Sequence, residues 1–274
     1  MTSDLSMYLA PARVLHAQDA WLERILAILG EHRGQKQIVE LAAHRLSPDL
    51  LLSQTCGYPF VTSLRGKVRL VGRPSYELTH SSGGGHCSLL LCRADSAVTD
   101  LAGFQGSHGL INAADSNSGM NLLRHTLAGI SDRGFFSKLT FTGSHRESMR
   151  RLREGEGDLA SVDSVTYDYL VRDNSAEIEG LRILTRSVRS PCLPYITSIG
   201  QDAVSIRNAM NDALGQLPEV SRDLAIKEVL PASEADYECL LEYECNAANR
   251  GFSFLSPLVR TDTPAFLRRS EVVL

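Results

Sequence analysis

Three short segments of the chain place hydroxyl, amide, imidazole and carboxylate groups where helices are expected to start, a set suited to holding an oxyanion. The first is Asp115-Ser116-Asn117-Ser118-Gly119. Ser and Asn are favoured N-caps because their side-chain oxygens accept from the unpaired N–H groups of a first turn, and Gly119 permits close backbone approach. Those N–H groups and the helix dipole favour an anion, and two serine hydroxyls add donors for phosphate or phosphonate oxygens. The second is Gly143-Ser144-His145-Arg146-Glu147, where Ser144 and Glu147 have capping-box spacing. That puts His145 at the first helical position, able to donate to an anionic oxygen and to gain charge as it does so. The third is Asp163, which follows Leu159-Ala160-Ser161-Val162. As an N-cap it needs no ligand, whereas as a ligand group it suits an amine. Plain capping explains each segment taken singly. In an α/β sheet, however, the carboxyl ends of neighbouring strands face one crevice, and there the three would line a common wall.

The elements that must position these groups are visible in the apolar pattern. From Leu15 to Leu29, Trp21, Leu22, Ile25, Leu26 and Leu29 recur at three- and four-residue steps, predicting an amphipathic helix. A first strand is expected at Leu5 to Tyr8. Another at Leu50 to Leu52 leads into the polar loop Ser53-Gln54-Thr55-Cys56-Gly57-Tyr58-Pro59, and further strands are expected at Val68 to Val71 and Cys87 to Cys92. Ser81 to Gly85 reads as a flexible loop, because no Gly-Lys-Ser/Thr follows to make a phosphate loop. From Leu101 a strand-then-helix rhythm sets in, with strands at Leu110–Ala113, Leu139–Thr142, Leu159–Val162 and Leu181–Leu184, which argues for a largely parallel sheet. Pro191 and Pro194 break it, so that segment is a connector or a sheet edge. Two or three helices run on to Asn249, one introduced by the capping-box candidate Ser233-Glu234-Ala235-Asp236, and a Pro-, Arg- and Thr-rich tail of about twenty residues follows.

Composition narrows the function classes. The 274 residues correspond to about two domains. With 43% hydrophobic and 22% charged residues, the chain is of ordinary globular type. Lys plus Arg number 28 against 32 Asp plus Glu, a formal charge of −4 without a dense basic tract, which removes the usual electrostatic reason to expect nucleic acid. No run approaches the roughly 18 apolar residues of a membrane span, and Met1 to Pro11 lacks the regions of a signal peptide. Six cysteines without a Cys-x-x-Cys pair point to a reduced compartment, and Cys87 with His80 and His86 is a weak metal signal. Neither a metal nor a cofactor is expected.

At this point the sequence resembles the phosphonate-binding proteins of ABC importers. The resemblance runs from about Leu5 to Phe252 and rests on Gln54-Thr55-Cys56-Gly57-Tyr58-Pro59, Ser116-Asn117-Ser118-Gly119, Gly143-Ser144-His145-Arg146-Glu147-Ser148, Asp158-Leu159-Ala160-Ser161-Val162-Asp163 and Pro194-Tyr195. It implies a two-lobed α/β fold of the type II periplasmic-binding-protein kind: two mixed sheets flanked by helices and joined by a two-strand hinge. Lobe one would comprise residues 1–91 and 191–274, and lobe two residues 92–190. The resemblance further implies that Ser116, Asn117, Ser118, Gly119 and His145 hold the oxyanion, that Asp163 meets an amine, and that Tyr58 closes over the ligand. Two departures stand out. The family is usually exported, so a periplasmic location is implied, whereas the chain as written reads as cytoplasmic if it is complete. And His86-Cys87 stands where the family often carries Tyr, so sulfonates, phosphate esters and acidic heterocycles stay open as ligands.

The expectation is therefore a substrate-binding component of an ABC importer, not an enzyme, which captures a small anionic ligand and partners a permease, without nucleic acid or membrane insertion. The rival readings are a cytosolic enzyme on the same fold, of the thiamine-pyrimidine or menaquinone type, and a cytosolic metabolite sensor. The chain shows no Gly-x-Ser-x-Gly, His-Glu-x-x-His or dinucleotide motif for the first and no helix-turn-helix for the second.

Overall fold

The structure is a computed structural model and describes residues 1–32, 45–131, 134–253 and 255. The amphipathic pattern near the N-terminus forms α1 (Ala12–Leu29), whose stripe of Val14, Trp21, Leu22, Ile25 and Leu26 is buried. Gly30, at φ 69°, ends it in the left-handed conformation that glycine adopts without strain. This stripe packs with Leu51, Leu52, Val71 and Tyr195 in the core on the first of two sheets.

That sheet has the order β1 (Thr2–Asp4), β2 (Leu50–Gln54), β11 (Tyr195–Ser198), β3 (Val68–Tyr76) and β12 (Ile226–Leu230). β1 and β2 are parallel and the other pairings antiparallel. The second sheet has the order β7 (Lys138–Phe141), β6 (His108–Ile111), β8 (Leu159–Asp163), β5 (Ser88–Arg93) and β9 (Leu181–Arg186). β6 runs parallel to both β7 and β8, while β5 is antiparallel to β8 and β9. Between the sheets a two-stranded antiparallel ribbon, β4 (Gly85–His86) with β10 (Ser190–Pro191), sets His86 opposite Ser190. This is the two-strand hinge, and the fold is the two-lobed α/β arrangement with mixed sheets.

Several boundaries differ from the expected ones for identifiable reasons. The first strand is Thr2–Asp4 and not Leu5–Tyr8, because the Asp4 carboxylate turns forward to accept from the Ser6 amide (3.0 Å) and stops the strand. Leu5 and Tyr8 are buried all the same, in the connection to α1. The second sheet is mixed and not largely parallel, since β5 runs against β8 and β9. An exchange between lobes at 91/92 would cut β5, all of whose residues belong to the second sheet. Both prolines of the rhythm break stay out of central strands: Pro191 lies in the ribbon and Pro194 just before β11.

Helices complete the layers: α2 (Leu122–Leu127), α3 (His145–Arg153) and α4 (Ser164–Arg172) follow β6, β7 and β8, and α5 (Ala203–Gln216), α6 (Pro218–Leu224) and α7 (Glu238–Asn249) follow β11 and β12. The capping box at Ser233 is formed, with the Ser233 amide donating to Asp236 Oδ2 at 2.7 Å ahead of α7. Leu240 of α7 belongs to a cluster with Leu50, Phe60 and Ile196, whereas Ala247 and Phe252 belong to one with Leu90, Ile111 and Leu123, so this segment spans both sheets. The tail after Leu255 lies outside the described residues.

Candidate functional site

The strand order places the three helix starts side by side. β6, which leads to Ser116, lies between β7, which leads to His145, and β8, which ends in Asp163, and the three are parallel. Their carboxyl ends therefore open on the same edge of the sheet.

Ser116 caps a π-helical turn, Asn117–Asn121, its Oγ accepting from the Gly119 amide at 2.9 Å. The turn is buried throughout and tightly packed. A Cβ on Gly119 would stand 1.9 Å from Asn112 Oδ1, so only glycine allows this approach. The Ser118 carbonyl accepts from the hydroxyls of Ser88 and Ser161, both at 2.7 Å, which ties the turn to β5 and β8. With its backbone fixed, Ser118 directs its Oγ to within 3.1 Å of His145 Nε2. Asn117 is engaged elsewhere: its side-chain amide donates to Ser190 Oγ of the hinge ribbon (2.8 Å), and its backbone amide donates to Cys56 Sγ at 3.3 Å. Cys56 follows β2, so this last bond joins the two sheets across the cleft. Burial raises the Cys56 thiol pKa, and the sulfur stays a neutral acceptor.

His145 opens α3. Ser144 caps that helix by accepting from the Glu147 amide at 3.1 Å, while the Glu147 carboxylate turns to Arg150 and Arg151, so half of the expected capping box is made. His145 Nδ1 is buried without a hydrogen-bond partner. Burial lowers the His145 pKa against the opposing pull of the Asp163 charge, which leaves the ring neutral and ready to take a proton when an anion arrives.

Asp163 caps α4 through Oδ1, which accepts from the Thr166 amide at 3.0 Å, and its Oδ2 lies 2.8 Å from His86 Nδ1. Burial pushes this carboxyl upward, but the hydrogen bond and charge of His86 and the nearness of His145 outweigh it and hold the group below the usual carboxylate range. His86 is 1% exposed, and its Nε2 has no partner. The Tyr8 hydroxyl is likewise buried and unpartnered; burial and the Asp163 charge hold it firmly protonated. The ring of Tyr8 stands edge-on to Tyr169 at 5.7 Å.

Six of the seven expected residues thus lie on one stretch of sheet edge, and Tyr58 is directed elsewhere. Its hydroxyl donates to Glu244 at 2.6 Å and accepts from Arg124 at 3.0 Å, and the Arg124 guanidinium lies 5.4 Å from its ring centre. Sequence reasoning missed Tyr8 and Arg124 and noted His86 as part of a weak metal signal and as a departure from a pattern. The available signal was position: Tyr8 follows a strand, as a cleft residue of an α/β fold does, and His86 stands two residues before the start of β5. A surface hollow of about 430 Å³ lies beside α3, where Arg146 and Arg150 are paired with Glu177, Glu147 and Glu154 and Arg153 donates to the Ala176 carbonyl. Among the described residues no group of three or more His, Cys, Asp or Glu is placed to hold a metal ion, and no helix is long and apolar enough to cross a membrane.

A family model described as the periplasmic substrate-binding protein of ABC phosphonate transporters matches residues 52–237. No curated protein sequence matches the chain. Among solved structures, the binding-protein component of an ABC phosphonate transporter from Pseudomonas aeruginosa is similar with a TM-score of 0.72 at 12% identity, over 91% of this chain and 86% of that one. PhnD1 from Prochlorococcus marinus, solved in complex with methylphosphonate, gives 0.66 at 12% identity, over 88% of this chain and 95% of that one. A Xanthomonas citri protein solved with bound chloride gives 0.64 at 15% identity, over 91% of this chain and 97% of that one.

Proposed function

This chain belongs to the periplasmic phosphonate substrate-binding proteins of ABC transporters, and we propose that it captures its ligand between the two sheets, with the oxyanion held by the Ser116–Gly119 turn and His145. What carries this reading is the contact between Ser118 Oγ and His145 Nε2, 3.1 Å apart, which points two polar groups from different strand ends at one place. The unpartnered buried Nε2 of His86 and hydroxyl of Tyr8 support it, because buried polar groups are ordinarily paired and these have partners to gain from a ligand. That the Prochlorococcus relative was solved with methylphosphonate supports a phosphonate as the first compound to try.

In this reading binding is reversible capture. A phosphonate oxygen accepts from the Ser118 hydroxyl and from His145, whose neutral ring gains a proton beside the anion. One lobe is the first sheet with its helices, the other the second sheet with its own, and the β4/β10 ribbon is the hinge between them. A ligand that touches both lobes shifts the population toward the closed arrangement by its differential affinity, and the closed form is what a permease partner would receive. The Cys56–Asn117 bond is one contact that closure makes.

Isothermal titration of the purified chain with methylphosphonate, 2-aminoethylphosphonate and inorganic phosphate tests this reading. Binding of at least one is expected, and it should be lost in a folded Ser118→Ala variant. No heat with any of the three, or full affinity in that variant, would remove the site assignment.

A further inference from the structure

α7 follows β12 of the first sheet, yet a buried side chain fastens it to the oxyanion turn of the second. Asn121, the last residue of the Asn117–Asn121 turn, is fully buried. Its Nδ2 donates to the Leu240 carbonyl of α7 (3.0 Å) and to Asn117 Oδ1 (3.2 Å), and its Oδ1 accepts from Arg124 Nε (3.1 Å) and Nη2 (2.8 Å). Both donors and both lone pairs of the amide are thus engaged, a set that neither a carboxylate nor an alkyl group of the same size can supply. Arg124 pairs in turn with Glu244, one helical turn beyond Leu240 on the same side of α7.

The same amide reaches toward the hinge. Because Asn117 Oδ1 accepts from Asn121, Asn117 Nδ2 is directed to Ser190 Oγ of the ribbon at 2.8 Å. Ser118 and Gly119 lie between these two asparagines. The hydroxyls of Ser88 and Ser161 hold the turn to its own sheet, whereas the asparagine pair holds it to α7 and to the ribbon. α7 is itself seated in both cores, through Leu240 in one and Ala247 in the other, so any movement of one lobe against the other acts on it. We infer that Asn121 is a positioning residue for oxyanion capture: its bonds to Leu240 and Asn117 set the Ser116–Gly119 turn against α7, so that a ligand at the turn and the seating of α7 reinforce each other. The coupling is reciprocal, since a helix that raises ligand affinity when seated is held in its seat by bound ligand to the same factor. This rests on the reading that the turn and His145 hold the oxyanion.

The test is amide hydrogen exchange with and without a saturating ligand, the tightest binder among methylphosphonate, 2-aminoethylphosphonate and inorganic phosphate. The internal reference is α5, which packs in the first-sheet core. In wild type the ligand should slow exchange in α7 at least about fivefold more than in α5. Asn121→Asp keeps an acceptor for Arg124 and removes both donors. Its affinity for the same ligand should fall about tenfold, and at saturation its α7 should respond no more than its α5. A purely structural role would lower the melting temperature and leave the α7 response in place, which overturns the inference. If Asn121→Asp does not fold, the wild-type comparison of α7 with α5 decides without it. Equal slowing of the two helices in wild type, or unchanged affinity in folded Asn121→Asp, overturns this inference alone, provided that binding is still lost in Ser118→Ala. No binding of any of the three compounds overturns the reading beneath it as well.

Discussion

Ser118 Oγ and His145 Nε2 stand 3.1 Å apart although one residue follows β6 and the other follows β7, and this contact turns two ordinary helix starts into one polar site. The contact depends on a backbone that cannot move, because the Ser118 carbonyl is held by hydroxyls from β5 and β8. Ser116, two residues earlier, has its hydroxyl occupied by the Gly119 amide. Two serines of the same motif therefore have different work.

The first prediction separates them. Ser116→Ala removes a cap and should destabilise the fold by about 1 kcal/mol. Ser118→Ala removes a hydroxyl that caps nothing but leaves buried His145 Nε2 without its partner, so it should cost about 1 to 3 kcal/mol and is set apart by its methylphosphonate affinity, which falls at least about tenfold. Thermal denaturation and titration calorimetry on both variants check this; an affinity loss confined to Ser116→Ala would exchange the two roles.

A second prediction follows from His145. Its folded pKa lies below the ordinary value because burial disfavours the charged ring. As pH falls through about 6.5 the unfolded chain takes up a proton that the folded ring resists, so the unfolded state binds more protons and stability declines with falling pH. The full stability is thus present above about pH 6.5 and is lost on the acid side of it. Melting temperatures of ligand-free wild type and His145→Gln between pH 8 and 5 should diverge in that window, with the variant less pH-sensitive; parallel profiles would show that His145 is not the titrating group. Saturating methylphosphonate should reduce the wild-type dependence, because an anion at Nε2 favours the protonated ring.

How much of this was readable from sequence follows the distance over which each signal acts. Ser116, Ser144 and Asp163 were legible as helix starts, since capping is a matter of residues three positions apart. That they converge followed from a parallel sheet, and the order β7-β6-β8 supplies it. The His86–Asp163 pair was not legible, because 77 residues separate its members and neither ring nor carboxylate announces its partner. The orphaned Tyr8 hydroxyl was hidden for a different reason: the region around it was read as strand, whereas the Asp4 side chain ends that strand early. The largely parallel second sheet failed as an expectation because direction is set by long-range pairing of β5, which apolar periodicity does not encode.

The third prediction concerns Gly119. A methyl group there would overlap Asn112 Oδ1 at 1.9 Å, and the surrounding turn is buried, so Gly119→Ala should destabilise the protein by about 1 to 3 kcal/mol. The same displacement moves Ser118 away from His145, and methylphosphonate binding should weaken together with stability. Chemical denaturation and titration of this variant check it. A variant of wild-type stability would mean that the turn can relax without Asn112.

The fourth prediction concerns Tyr58, which the family resemblance set over the ligand and which the structure joins to Arg124 and Glu244. Arg124 is buried, pairs with Glu244 at 2.9 Å, and donates to the Ser253 carbonyl at 3.0 Å, so the Tyr58 hydroxyl belongs to a network that fastens α7 and its following turn to α2. Removing this hydroxyl takes one donor from Glu244 and one acceptor from Arg124, whose Nη2 keeps Asn121 Oδ1 and Glu244. Tyr58→Phe should therefore destabilise the protein by about 0.5 to 1.5 kcal/mol while changing methylphosphonate affinity less than about threefold. Arg124→Met, which leaves the Glu244 carboxylate unpaired, should be more destabilising than Tyr58→Phe and should increase proteolytic cutting within α7. Denaturation curves, limited proteolysis and titration distinguish the cases. A Tyr58→Phe protein of undiminished stability but tenfold weaker binding would return Tyr58 to the ligand and take it out of the Arg124–Glu244 network.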